Sequence, residues 1–284
     1  MNHYTNNLNR KIFSYTLLIM SFIVSFNTHA LNIMTLNTQW MWDYDNKHEG
    51  QIIGKKISAP TKEAYQEELK YYVDLIKNHN IDIVALSEIE KCGIAYDFKK
   101  QLGKKWTIIC QKSRDSFTGQ DVAILTRLKS IKPFSTFKYQ YTYLRTKKIR
   151  PSKIISGVVS ENNQKYLLVA THLISKRSRK NTSKRIAQAK SIVKGIKVML
   201  KKHGQMPVII MGDLNDTPDS KTLNILTQNM VNTANEHPVC SYLYRNKCVQ
   251  LDYIIVSPSL SGGKLFSVKI PKKFSDHRAV IYKN

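Results

Sequence analysis

Val208-Ile209-Ile210-Met211-Gly212-Asp213-Leu214-Asn215 is an apolar, mostly β-branched run that halts at a glycine and then delivers an acid and an amide. A short run of this kind, bounded by turn formers, predicts a strand buried on both faces of a layered α/β fold. Alternation along an extended segment sends the Asp213 and Asn215 side chains the same way, toward one site at the strand end. The competing local reading is an Asx turn that simply closes the strand.

The same arrangement recurs along the chain. Ile33-Met34-Thr35-Leu36 runs into Asn37, Ile81-Asp82-Ile83-Val84-Ala85-Leu86 into Ser87-Glu88-Ile89-Glu90, and Leu167-Leu168-Val169-Ala170 into Thr171-His172-Leu173. Asp121 precedes Val122-Ala123-Ile124-Leu125, Asp252 precedes Tyr253-Ile254-Ile255-Val256, and Ser275-Asp276-His277-Arg278 precedes Ala279-Val280-Ile281. Carboxylates, amides and two imidazoles therefore cluster at the ends of buried strands, the mix needed to hold a hard divalent cation and attack a phosphate ester. Apolar residues at helical spacing mark a helix from Thr61 to Asn78, with Thr61 as its cap, and another from about Lys184 to Lys202. In the second, Ile186, Ala189, Val193, Ile196 and Leu200 form the expected buried stripe, and Lys190, Lys194, Lys197 and Lys201 the solvated face. A shorter helix is expected from about Ser220 to Gln228, and antiparallel strands or hairpins between Phe134 and Ser160. Strands mixed with helices fit two sheets packed face to face and covered by helices.

Taken together, these motifs resemble the endonuclease/exonuclease/phosphatase superfamily, best known from deoxyribonuclease I. The resemblance runs from Leu31 to the end, and implies one α/β domain over 31–284, a four-layer sandwich of two packed mixed β-sheets flanked by helices. It also implies a hydrolase acting on phosphate ester bonds with a divalent cofactor, Mg²⁺ first, with Mn²⁺ or Ca²⁺ as alternatives. Glu88, at its strand end, is the primary metal ligand in this reading, and Glu90 the weaker candidate on the same face. The resemblance places Asn37 beside the metal-bound water, although Gln39 stands where many relatives carry an acid. It gives Asp213 the role of orienting or deprotonating the attacking water, Asn215 that of holding a phosphate oxygen, and Asp252 the usual aspartate of its strand. His172 would protonate the leaving oxygen or bind the phosphate, and its expected carboxylate partner is Asp121. His277 would pair with Asp213 or Asp252, since consecutive extended residues point apart, and Asp276 would lie on the side of a second metal. Arg150 resembles the family's phosphate-facing arginine.

Arg10 and Lys11 lead into an apolar run from Ile12 to Val24 and then a polar stretch that ends at Thr28-His29-Ala30, so residues 1–30 read as an export signal with cleavage after Ala30, an uncleaved anchor being the alternative. Localisation is expected to be periplasmic or secreted, with no stable membrane insertion after cleavage. Cys92, Cys110, Cys240 and Cys248 all lie in the exported part, where disulfides are favoured. Local pairing, Cys92 with Cys110 and Cys240 with Cys248, closes the shortest loops, each contributing roughly 2–3 kcal/mol in the chain-entropy model.

The formal charge of +25 loses only Arg10 and Lys11 with the leader, and draws the protein to polyanions. Lys176, Arg177, Ser178, Arg179 and Lys180 begin four residues after His172, which puts Lys176, Arg177 and Arg179 beside the cleft as phosphate contacts. The expected substrate is therefore DNA or RNA, cleaved by a monomeric nuclease. Trp40 and Trp42 can stack on bases, lean into a membrane interface or pack beneath a loop. Two enzymatic alternatives are a sphingomyelinase-like lipid phosphodiesterase and a small-molecule phosphatase. The alternative outside enzymology is a non-catalytic basic binder of polyanions or a toxin subunit.

Overall fold

β-Branched runs supply the strands and amphipathic runs the covering helices, in a computed structural model that describes residues 30–45, 59–115, 118–234 and 238–284. The expected leader, apart from Ala30, lies outside the described residues. In chain order the first half contains β1 (Asn32–Met41), α1 (Lys62–Asn78), β2 (Ile83–Ile89), α2 (Cys92–Leu102), β3 (Thr107–Cys110), β4 (Asp121–Thr126) and β5 (Lys129–Ser135). There follow β6 (Thr142–Leu144), β7 (Lys147–Ile149), β8 (Lys153–Glu161), β9 (Gln164–His172), α3 (Lys180–His203), β10 (Val208–Asp213) and α4 (Lys221–Leu226). The chain ends with β11 (Val231–Asn232), β12 (Tyr242–Tyr244), β13 (Lys247–Val249), β14 (Asp252–Val256), β15 (Lys264–Lys269) and β16 (Arg278–Lys283).

Two six-stranded sheets result, ordered β15-β16-β1-β2-β4-β3 and β11-β14-β10-β9-β8-β5. Each is mixed: β1–β2 and β9–β10 are parallel, whereas their outer neighbours are antiparallel. Between the sheets lies a core that includes Ile33, Ile83, Ala85 and Val280 from one and Leu168, Ala170, Met211 and Ile254 from the other. α1 and α2 cover the outer face of the first sheet through Leu69, Tyr72, Ile76 and Phe98. α3 covers the second through Ala189, Ile192, Ile196 and Met199, joined by α4 through Leu223 and Leu226. The four-layer α/β sandwich of the sequence reading is the fold observed.

Local chemistry explains where the elements stop. Thr61 caps α1 by accepting from the Ala64 amide at 3.2 Å, and Ser220 caps α4 by accepting from Leu223. α3 starts at Lys180 rather than Lys184, and its buried stripe is turned from the expected one. Ile192 and Met199 are buried while Ile186, Val193 and Leu200 lie on its flanks, because Arg185 and Gln188 occupy buried positions that a hydrophobic count does not register. α2 is an element the periodicity left unassigned. The disulfide Cys92–Cys110 ties it to β3, and Cys240–Cys248 ties the segment leading into β12 to the middle of β13. No helix among the described residues is long and apolar enough to cross a membrane.

The β8–β9 register matters most for function. Asn162 and Asn163 form its two-residue turn with φ of 47° and 66°, the paired left-handed conformation of a type I′ hairpin. Eight steps inward from each side of that turn, Lys153 pairs with His172.

Candidate active site

Parallel strands bring their C-terminal ends to one edge, and antiparallel neighbours bring their starts to the same edge. β1, β2, β9 and β10 thus end where β4, β8 and β14 begin, and Asp213 pairs directly with Asp252. At this level the first sheet departs from regular pleating. Gln39, Trp40 and Glu88 have φ of 46°, 66° and 64°, and the registers shift between Asn37 and Met41 and between Ser87 and Ile89. A glutamate in the left-handed region costs about 1–3 kcal/mol and persists where its surroundings demand it. The bulge turns Glu88 into the site and breaks the alternation that would have placed Glu90 beside it. Glu90 is instead buried and accepts from the Asp43 amide at 3.0 Å.

Gly212 is the hinge of the motif before Asp213. Its φ is 134°, and a Cβ there would lie 2.0 Å from the Thr171 carbonyl oxygen of β9. Gly212→Ala is therefore expected to cost about 3 kcal/mol or more. The check is a denaturant midpoint in which this variant loses far more than an alanine at Gly204, which has open space around it.

The side chains converge across both sheets. The Asn37 amide donates to Glu88 Oε1 at 3.2 Å and to Asp213 Oδ2 at 3.1 Å. Asp213 Oδ1 accepts from the Asn215 amide at 2.8 Å, and Asn215 Nδ2 donates to the Leu173 carbonyl at 3.0 Å. Asn215 adopts a φ of 51°, so the Asx turn and the site residue are the same structure. His172 Nε2 lies 3.7 Å from Glu88 and 3.6 Å from Asp213. Its Nδ1 is buried and has no hydrogen-bond partner among the described residues.

His277 Nδ1 donates to Asp252 Oδ2 at 2.7 Å, which selects Asp252 from the two expected partners; Nε2 stands 4.0 Å from Asp213. Ser275 fixes this corner, its hydroxyl donating to the Asn37 carbonyl at 2.8 Å and accepting from the His277 amide at 3.0 Å.

The expected pairing of His172 with Asp121 does not form. Asp121 sits in the first sheet opposite Ile89 and accepts from the Ser113 amide at 2.7 Å, while His172 ends a strand of the second sheet. The expectation that Asp276 and His277 point apart also fails, because Asp276 lies in a bend rather than extended chain. Its Oδ1 comes to 3.9 Å from His277 Nε2, at the solvent-facing side of the pocket. Arg150 has a guanidinium nitrogen buried without a hydrogen-bond partner and lies near Arg114. Lys153, for which the sequence analysis offers no motif, reaches the catalytic edge and pairs with Asp115 at 3.3 Å. It donates to Gln120 Oε1 at 3.2 Å, and Gln120 Nε2 donates to Glu88 at 3.5 Å. The type I′ turn carries the signal for Lys153, since it fixes the pairing with His172.

In the basic run, Lys176 is paired with Asp216 at 3.0 Å. Arg177 and Arg179 are exposed. Tyr242, also unanticipated, lays its ring 4.8 Å from His277. Of the tryptophans, Trp42 is buried and Trp40 half-buried, edge to face at 6.1 Å.

Burial dominates the electrostatics. It raises the Glu88 pKa, against the opposing charge of Lys153 and the Asn37 hydrogen bond. Burial and then the Asp252 charge raise Asp213 to about 8. His172 is lowered well below its ordinary value by burial, then by Lys153 and His277, and is a neutral ring. Burial would lower His277 as well, but the charge and hydrogen bond of Asp252, with Asp213 and Asp276, raise it to about 10.

Glu88, His172 and Asp213 each offer a ligand atom within 4.8 Å of one another. Glu88 is half-buried and Asp213 buried, both carboxylates under electrostatic stress, and Asp252 Oδ1 is buried without a hydrogen-bond partner. A hard divalent cation relieves such crowding, and the oxygen-rich donor set suits it.

Comparison with known proteins bears on the family and the fold. The Endonuclease/Exonuclease/phosphatase family matches residues 31–277. Similar solved structures include an endonuclease/exonuclease/phosphatase from Bacteroides vulgatus, 16% identical over 89% of this chain and 98% of that one, with a TM-score of 0.63. The human Nocturnin catalytic domain with bound sulfate anion is 16% identical over 89% and 93%, with a TM-score of 0.59. A mannosyl-6-phosphatase from Bacteroides thetaiotaomicron is 13% identical over 89% and 98%, also with a TM-score of 0.59. No curated protein matches significantly by sequence.

Proposed function

The chain belongs to the endonuclease/exonuclease/phosphatase family of phosphate-ester hydrolases, and from that premise we propose that it is an exported, divalent-metal-dependent nuclease. The observation that carries the phosphodiesterase reading is the junction of Asn37, Glu88, His172, Asp213, Asn215, Asp252 and His277 in one buried pocket. Lys153 and the exposed Arg177 and Arg179, on a chain of formal charge +25, favour a polyanionic substrate. Two disulfides favour an oxidising compartment, in keeping with the leader read from the sequence.

Glu88, with Asn37 beside it, would hold the cation, Mg²⁺ in preference to Mn²⁺ or Ca²⁺. Once bound, it supplies charge neutralisation at the phosphate and a lowered pKa for water. Asp213, fixed by Asn37 and the Asn215 amide, orients the attacking water and accepts its proton. His277, held as an imidazolium by Asp252, presents Nε2 to the phosphate and offsets the charge that builds on its oxygens. Asn215 retains a second amide hydrogen for a phosphate oxygen. His172, being neutral, serves better as a hydrogen-bonding group than as the acid for the leaving oxygen. The enzyme is expected to act as a monomer.

The test is a substrate panel of plasmid DNA, RNA and sphingomyelin vesicles, each with Mg²⁺ or with EDTA. Cleavage of plasmid or RNA should fall on the order of 100-fold in EDTA. Choline phosphate released from vesicles with both nucleic acids intact would replace the nuclease by a lipid phosphodiesterase. Retarded but uncut plasmid would make the protein a polyanion binder.

A further inference from the structure

Beside the catalytic pocket, the loops following β9 and β10 part to leave an open cleft of about 410 Å³. Lys176, Arg179, Arg185 and Lys221 line it, against a single carboxylate, Asp216. The two spaces share a thin wall. Asn215 belongs to the catalytic side and is tied to Leu173, whereas the next residue, Asp216, faces the cleft.

The floor is built rather than incidental. Arg185 is buried, with only 2% of its surface exposed. It donates to Asp216 at 3.2 Å and to the Ile174 and Ser175 carbonyls at 3.3 and 3.2 Å. Asp216 also accepts from the Thr222 hydroxyl at 2.8 Å and pairs with Lys176 at 3.0 Å. Burial alone would raise its pKa, but Thr222, Lys176 and Arg185 outweigh that and hold it low. The carboxylate is therefore ionised and its lone pairs are committed, which leaves nothing for a metal. At the rim the balance reverses: Arg179 and Lys221 are exposed, and among the described residues neither has an ion-pair partner. A rigid floor with two uncommitted cations above it matches an oxyanion.

We propose that this cleft is a second phosphate subsite, which holds the phosphate adjacent to the scissile one in a polynucleotide. The inference rests on the nuclease reading and deepens it, since a strand threaded past His172 would carry its next phosphate along the Ser175–Arg179 loop. Two groups offer the same chemistry, an internal phosphodiester and a terminal phosphomonoester.

Lys221→Glu is the diagnostic change. It reverses the rim charge, and at the first position of α4 an acid is tolerated or favoured by the helix dipole. In EDTA, where the catalytic carboxylates repel anions, inorganic phosphate should bind the wild-type protein by calorimetry and at least about tenfold more weakly in Lys221→Glu. Equal affinity in both proteins overturns the subsite, whatever the enzyme cleaves. With Mg²⁺, kcat/KM for a trinucleotide or a 5′-phosphorylated dinucleotide should exceed that for an unphosphorylated dinucleotide by at least about tenfold, and Lys221→Glu should abolish that ratio. A gain with the trinucleotide alone assigns the cleft to internal phosphates, and a gain with the phosphorylated dinucleotide alone to a terminal one. An unchanged ratio overturns the proposal. Phosphate binding that depends on Lys221, with no oligonucleotide cleaved, overturns the nucleic-acid assignment and leaves a phosphate site on an enzyme of another substrate.

Discussion

Replacement of His277 by alanine should lower kcat/KM on the cleaved phosphodiester by about 10³-fold, mostly in kcat. The imidazolium faces the reacting phosphate, so its charge counts most when negative charge builds on the oxygens. Alanine also leaves Asp252 buried without its 2.7 Å partner, and breaking a buried pair is destabilising. His277→Gln separates the two effects, because its amide can still donate to Asp252 but carries no charge. Both variants should be inactive, and the glutamine variant should melt closer to wild type. Activity within tenfold of wild type in either would remove His277 from the mechanism. The pH response has a definite sign. With a folded pKa raised to about 10 from 6.5, the stability that this pairing contributes is complete below about pH 6.5 and lost as pH climbs through 10. Wild type should therefore lose more melting temperature over that window than His277→Gln.

Glu88→Gln should cost about 10²- to 10³-fold in kcat, and shift the Mg²⁺ needed for half-maximal rate upward by at least about tenfold. Its effect on the metal-free fold should be the opposite. Burial raises the Glu88 pKa, so the ionised side chain opposes folding increasingly as pH rises through that elevated value. The neutral amide removes this cost. Without metal, Glu88→Gln should melt at or above wild type near neutral pH, whereas the rise that Mg²⁺ gives wild type should largely disappear. A variant that is less stable without metal yet keeps its full Mg²⁺ response would move the cation elsewhere. A residue that is poor for stability and necessary for activity also accounts for the left-handed backbone at Glu88.

Much of this site was legible because strand ends are legible. A β-branched run fixes where a strand stops, and Asn37, His172, Asp213 and Asp252 fall at such ends, so their meeting required only the right sheet order. Glu88 was identified but its environment was not, since a bulge reverses side-chain direction without changing the hydrophobic pattern. Glu90 was misplaced for the same reason. The partners of the histidines depended on which sheet each strand joined, a long-range fact that no local spacing encodes. Arg185 reads in sequence as one more cation beyond the basic run of Lys176 to Lys180. Only Asp216, brought close by the packing of the loops, shows that it is an internal strut. Lys153 could have been found from the Asn162-Asn163 turn by counting along the hairpin.

The catalytic groups belong half to one sheet and half to the other. Asn37, Glu88 and His277 come from the first, and His172, Asp213 and Asp252 from the second, with the bonds from Asn37 to Asp213 and from His277 to Asp252 spanning the gap. Turnover is thus a gauge of how the two halves mate. A change deep in the seam, at Ile83 or Met211, that slides one half by a fraction of an ångström will silence the enzyme while the molecule still melts as a cooperative unit.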